Sequence, residues 1–99
     1  METNPRSGDA ERNLANALFD RRAGDEAAEH AARAVQLQPE DPDAYDVLGR
    51  TLAVKGKLHE ARSAFERAIQ IDPNNTDARS DLARLAQLER TSTHSAAVR

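Results

Sequence analysis

The sequence predicts an all-α fold: an α-solenoid of antiparallel helix pairs, with two repeats and a C-terminal capping helix, five helices in all. Three observations predict it. The 99-residue chain matches itself at an offset of 34, and self-similarity at a fixed period marks folds stacked from one supersecondary unit. Its apolar residues follow helical spacing without strand-like alternation, as in Leu48 and Leu52 and then Ala61, Ala64, Phe65, Ala68 and Ile69. Charged residues make up 31% and hydrophobic ones 38%, with Phe19, Phe65 and Tyr45 the aromatics, a mixture that suits helices with solvated outer faces.

The elements follow in chain order. Residues 1–7 are short and polar and are expected to be a disordered N-terminus. The repeat domain is placed at 8–89. Comparing residues 8–41 with 42–75 gives ten identities, among them Asp9/Asp43, Leu14/Leu48, Leu18/Leu52, Ala27/Ala61, Ala34/Ala68 and Pro39/Pro73. The first unit is read as helices at about 9–22 and 26–37, the second as helices at about 42–54 and 58–71. Asp41 and Asn75 sit where N-caps belong, Pro42 suits a first helical position, and Gly56 suits a left-handed stop. Pro39 and Pro73 end the second helix of each unit. A third copy begins with Asp77, Ala78, Leu82 and Arg84 and stops after one helix, about 76–89, whose Leu82, Leu85 and Ala86 would cover the second repeat. Residues 90–99, with Thr91, Ser92, Thr93, His94 and Ser95, lack periodicity and are expected to be a disordered tail.

Packing within a pair is predicted from residue size. Gly49, Ala61 and Ala68 remove bulk where two helices approach, and Leu48, Leu52, Phe65 and Ile69 fill the seam. On that reading Gly49 accepts Ala but not Leu. No such pair buries its apolar face alone, so each unit leans on the next.

Several functions are disfavoured. A net charge of -3 and three aromatics offer neither a cationic footprint nor a stacking platform, so no nucleic acid is expected. Without cysteine there is no disulfide framework, thiol nucleophile or zinc-thiolate site, and His30, His59 and His94 fall in no ligand spacing, so neither metal nor cofactor is expected. Residues Met1 to Ala15 have no apolar core and no run approaches membrane-spanning length; a cytoplasmic protein without membrane contact is expected. The carboxylates are read mostly as exposed, with Asp9, Asp43 and Asp77 complementing helix N-termini. No phosphate loop, nucleophile elbow or Ser/His/Asp set occurs, and the chain is read as not an enzyme.

Residues 42–75 carry Tyr45-x2-Leu48-Gly49-x2-Leu52, then Ala61-x3-Phe65-x2-Ala68, then Pro73, and this pattern resembles the tetratricopeptide repeat (TPR). The unit at 8–41 departs from it at Glu11, Ala15 and Ala31, and its Gly24 falls two residues late relative to Gly56. The resemblance implies a concave groove lined by the first helix of each unit. Its positions fall on Asp9, Arg12, Asn16 and Phe19, then Asp43, Asp46, Arg50, Ala53 and Val54, then Asp77, Ser80, Arg84, Gln87 and Leu88. Of these, Arg12, Asn16, Phe19, Asp46, Arg50, Val54 and Arg84 are the candidate partner-binding residues. The family's terminal-carboxylate clamp is matched at Arg12 and Asn16 but not at Val47, Asp77 and Asp81, so a clamp of that kind is not expected.

The implied function is an adaptor that docks a peptide segment or a partner helix. Arg50 and Arg84 recur at one repeat position with Asn16 continuing the row, so a partner with acidic groups is one expectation. Simple pairing of Arg50 with Asp46, and of Arg84 with Asp81 or Ser80, is the plainer one. If the row binds ligand, changing both arginines to Glu should abolish binding with little cost to the fold. The alternative is an assembly subunit that self-associates through an uncovered C-terminal helix; monomer is favoured over homodimer.

Overall fold

The computed structural model describes the backbone of residues 7–98 and the side chains of residues 7–90. Five helices follow in order: α1 Gly8–Asp20, α2 Gly24–Leu37, α3 Pro42–Val54, α4 Leu58–Ile71 and α5 Thr76–Val98. Among the described residues there is no strand. The expected disordered segment at 1–7 lies, apart from Ser7, outside the described residues. The helix α5 runs to Val98, past residue 89 where the repeat domain was placed to end. The apolar periodicity that stops near Leu88 tracks burial, and a helix can continue after it has nothing left to bury.

The boundaries follow a 34-residue rhythm of caps. Ser7, Asp41 and Asn75 each precede a first helix, and their side-chain oxygens accept from the backbone N–H groups of Ala10 (3.1 Å), Asp43 (3.0 Å) and Ala78 (2.9 Å). These bonds satisfy orphan donors of the first turn. The caps at Asp41 and Asn75 are those the sequence indicated; Ser7 is a third.

The turn inside each unit is also repeated. Ala23 and Lys57 donate to the carbonyls of Leu18 and Leu52 at 2.8 and 2.9 Å, and Arg22 and Gly56 donate to Phe19 and Ala53, both at 3.0 Å. This is the paired bonding of a Schellman stop, which needs a left-handed residue. Gly56 supplies it with φ 83°, and in the first unit Arg22 supplies it with φ 64°. The turn geometry is thus conserved between units although Gly24 is two residues away.

Packing is sequential, α1 on α2, α2 on α3, α3 on α4 and α4 on α5, with α1–α3 and α3–α5 also touching. The last pairings place the first helices side by side as one face. The ion pair of Arg62 with Glu89 straps α4 to α5.

The two units fill their seams differently. In the second, Phe65 is 1% exposed and packs with Ala61 and Leu85, bordered by Leu52, Leu58 and Leu82. A β-carbon on Gly49 would sit 2.5 Å from the Phe65 ring. That corrects the expectation that Ala is accepted at Gly49: the first atom of any side chain already collides with a buried ring. In the first unit the same two positions are Ala15 and Ala31, both fully buried beside Val47. A Gly/Phe pair is exchanged for Ala/Ala. Glu11 is buried and lies 2.6 Å from His30 Nδ1, a polar pair where the second unit has Tyr45 and Ala64.

Candidate functional site

The face made by α1, α3 and α5 encloses a groove of about 520 Å³. Phe19 enters from α1, Asp46, Arg50, Ala53 and Val54 from α3, and Asp77, Ser80, Asp81, Arg84, Leu85 and Leu88 from α5, with Phe65 of α4 behind. Helical spacing explains the set: Asp46, Arg50 and Val54 lie four apart, as do Asp77, Asp81 and Leu85 or Arg84 and Leu88, so each series projects from one face.

Arg50 occupies the centre. Its Nη2 donates to Asn16 Oδ1 at 2.7 Å, across the 34 residues that separate them. Its Nε lies 3.5 Å from Asp46 Oδ2 and 3.8 Å from Asp81 Oδ2, and its guanidinium lies over the Phe19 ring, 5.1 Å from the centroid. Stacking and ion pairing together hold a planar cation in place.

Asp46 is the buried member of the cluster, 4% exposed. Burial, with hydrogen bonding to and repulsion from the neighbouring Asp81, pushes its carboxyl up to about 8 against the opposing pull of Arg50. Asp46 Oδ1 is buried and accepts no hydrogen bond among the described residues; a proton on Asp46 lets it donate to Asp81. The reading of the carboxylates as exposed therefore fails here, because Asp46 faces α5 rather than solvent.

The seven sequence-derived candidates divide three ways. Phe19, Asp46, Arg50, Val54 and Arg84 line the groove together, and Asn16 stands behind Arg50 as its hydrogen-bond partner. Arg12 lies apart from that lining. Its Nη1 is 2.6 Å from Asp41 Oδ2 and 3.3 Å from Asp9, tying α1 to the cap of α3. Desolvation works against its charge, but the hydrogen bond and attraction from Asp41, with Asp9 and Asp43, raise the Arg12 pKa overall.

Arg84 is 80% exposed and 3.4 Å from Asp81. Both simple pairings, Arg50 with Asp46 and Arg84 with Asp81, are thus present. The expectation that both arginines could become Glu at little cost does not survive for Arg50, which is the counter-charge of two enclosed carboxylates.

Sequence reasoning missed Asp81 as part of the groove floor. It falls one residue out of step with the repeat position of Asp46, at a spacing of 35 rather than 34. A search for acids one turn from Arg50 on the next first helix would have found it.

The sequence profile of the tetratricopeptide repeat family matches residues 2–44, 12–76 and 46–90. The chain belongs to the tetratricopeptide repeat family. No curated protein matches it at a significant level. Among solved structures it is similar to the first TPR domain of human RPAP3, with 27% identity over 93% of this chain and 72% of that one, TM-score 0.85. It is also similar to the first TPR of Spaghetti (RPAP3) bound to the HSP90 peptide SRMEEVD, with 28% identity over 88% and 69%, TM-score 0.82. The Arabidopsis OM64 TPR domain shares the fold at 21% identity over 85% and 69%, TM-score 0.79. TPR units are protein-interaction modules. Among the described residues no group of three or more His, Cys, Asp or Glu is placed to hold a metal ion. Nor is any described helix long and apolar enough to cross a membrane.

Proposed function

We propose that this TPR chain is a protein-interaction module that docks a peptide segment or a partner's helix along the groove of α1, α3 and α5 and performs no catalysis. One observation carries the reading. Val54 and Leu88 are 65% and 54% exposed, yet both line the same groove, at whose centre polar groups are held fixed. Exposed apolar side chains around an ordered polar centre are what a docked helix or extended segment covers. The Spaghetti TPR with its bound peptide supports docking by this fold.

The test is capture of a partner from cell extract by the parent, compared with Val54→Glu and Leu88→Glu. Both sites are open, so helicity and melting should hold while capture falls at least about tenfold, the loss of roughly 1.4 kcal/mol. Unchanged capture by both variants would move the binding face elsewhere.

The same exposed Leu88 favours a second reading, self-association through α5. Of the two oligomeric states we favour the monomer; light scattering that stays at monomer mass across concentration would remove the assembly reading. The net charge of -3 argues against a nucleic-acid partner.

A further inference from the structure

The groove's lining sets three acids, Asp46, Asp77 and Asp81, against two arginines, Arg50 and Arg84. Arg50 is already engaged by Asn16, Asp46, Asp81 and the Phe19 ring, and Arg12 by Asp41. An incoming acidic side chain would therefore meet Arg84, itself beside Asp81, together with exposed Asp77. An incoming cation would meet exposed Asp77 first, then Asp81, which it would share with Arg84 and Arg50, and behind them Asp46.

We propose that the groove selects a partner segment with a lysine or arginine next to an apolar residue, the cation seated against Asp77 and Asp81 and the apolar group against Val54 and Leu88. This rests on the groove being the docking surface, and it names the chemistry of what docks. Charge complementarity sets partner choice and register even where it adds little net affinity. It also separates this chain from the Spaghetti TPR, whose bound peptide contains EEVD.

The enclosed acids give the inference a second signature. Asp46 is faced by Asp77 and Asp81 from α5 and by Arg50 on its own helix, and Arg84 of α5 stands 3.4 Å from Asp81. From α1 the groups at this place are Asn16 and Phe19, and from α4 Phe65, none of which titrates. Near neutral pH Asp46 holds a proton, because burial and the neighbouring Asp81 carboxylate disfavour its charged form. A cation arriving at these acids favours the charged form of Asp46, so the proton leaves as the segment binds. Affinity should rise as pH climbs from about 6 to about 8.

The experiment is selection from a random peptide display library on the whole chain, followed by calorimetric titration of an enriched peptide in two buffers of different ionisation enthalpy. Lys or Arg beside Leu, Ile, Val or Phe should be enriched over Asp and Glu. Binding should release protons, and Asp77→Lys should weaken it about fivefold, the scale of an exposed charge pair. Asp77 is exposed, so its variant should keep the parent's circular dichroism. Enrichment of acidic or uncharged peptides, or binding without proton release, overturns this inference while leaving the groove as a docking surface. Failure to enrich any peptide, or peptides indifferent to Val54→Glu, overturns the docking surface as well.

Discussion

Replacing Gly49 by Ala sets two effects against each other, and the structure decides between them. In a helix interior Ala is favoured over Gly by about 1 kcal/mol. Against that, the new β-carbon would lie 2.5, 2.6 and 2.9 Å from Cε1, Cδ1 and Cζ of Phe65. Phe65 cannot simply swing away, since it is 1% exposed and packed against Ala61 and Leu85. Overpacking of this kind costs about 1 to 3 kcal/mol. The net expectation is a loss of up to about 2 kcal/mol, measured by urea unfolding.

The first unit supplies a remedy. Ala15 and Ala31 occupy the same pair of positions, both fully buried, so Gly49→Ala should be far less harmful when Phe65→Ala is already present. A double-mutant cycle should show coupling of at least about 1 kcal/mol, as expected for residues in contact. A Gly49→Ala variant more stable than the parent, or strictly additive effects, would refute the close-approach argument.

Phe65→Ala alone should cost about 3 to 5 kcal/mol, read as a large drop in the unfolding midpoint without change in fold class by circular dichroism. Arg22→Gly should stabilise by about 0.5 to 1 kcal/mol, because it relieves a left-handed β-carbon at φ 64° while retaining the Schellman bonds; a lower melting temperature would contradict this. The pH dependence follows from Asp46. Its folded pKa is raised to about 8 from an ordinary value of 3.8, so the folded state binds the extra proton, and the resulting stability is complete below about 3.8 and lost as pH rises through about 8. Relative to the parent, Asp46→Asn should be flatter across that window, with a difference exceeding about 1.4 kcal/mol, one pKa unit's equivalent. Parallel stability curves for parent and variant would show that Asp46 ionises freely.

Much of this molecule was legible in its residues. The 34-residue self-match, the Asp41 and Asn75 caps and the Pro42, Pro39 and Pro73 punctuation determined five helices, their pairing and their order, because each acts through neighbours within a turn or through the identity of successive units. The repeat position shared by Asn16, Arg50 and Arg84 likewise placed three side chains on one face before any coordinates. Three things were settled by tertiary structure. Arg22 rather than Gly24 closes the first turn, since backbone bonding, not residue preference, fixes which position is left-handed. Gly49 has no room even for a methyl group, since the free volume beside it depends on where the Phe65 ring of another helix lies. Arg12 pairs with Asp41, while Asp46 and Asp81 meet under Arg50, because burial and the distance between charges on different helices arise only when the helices pack. Periodicity fixes which face a residue is on; whether its charge is spent inside the protein or left for a partner is fixed by what stands opposite.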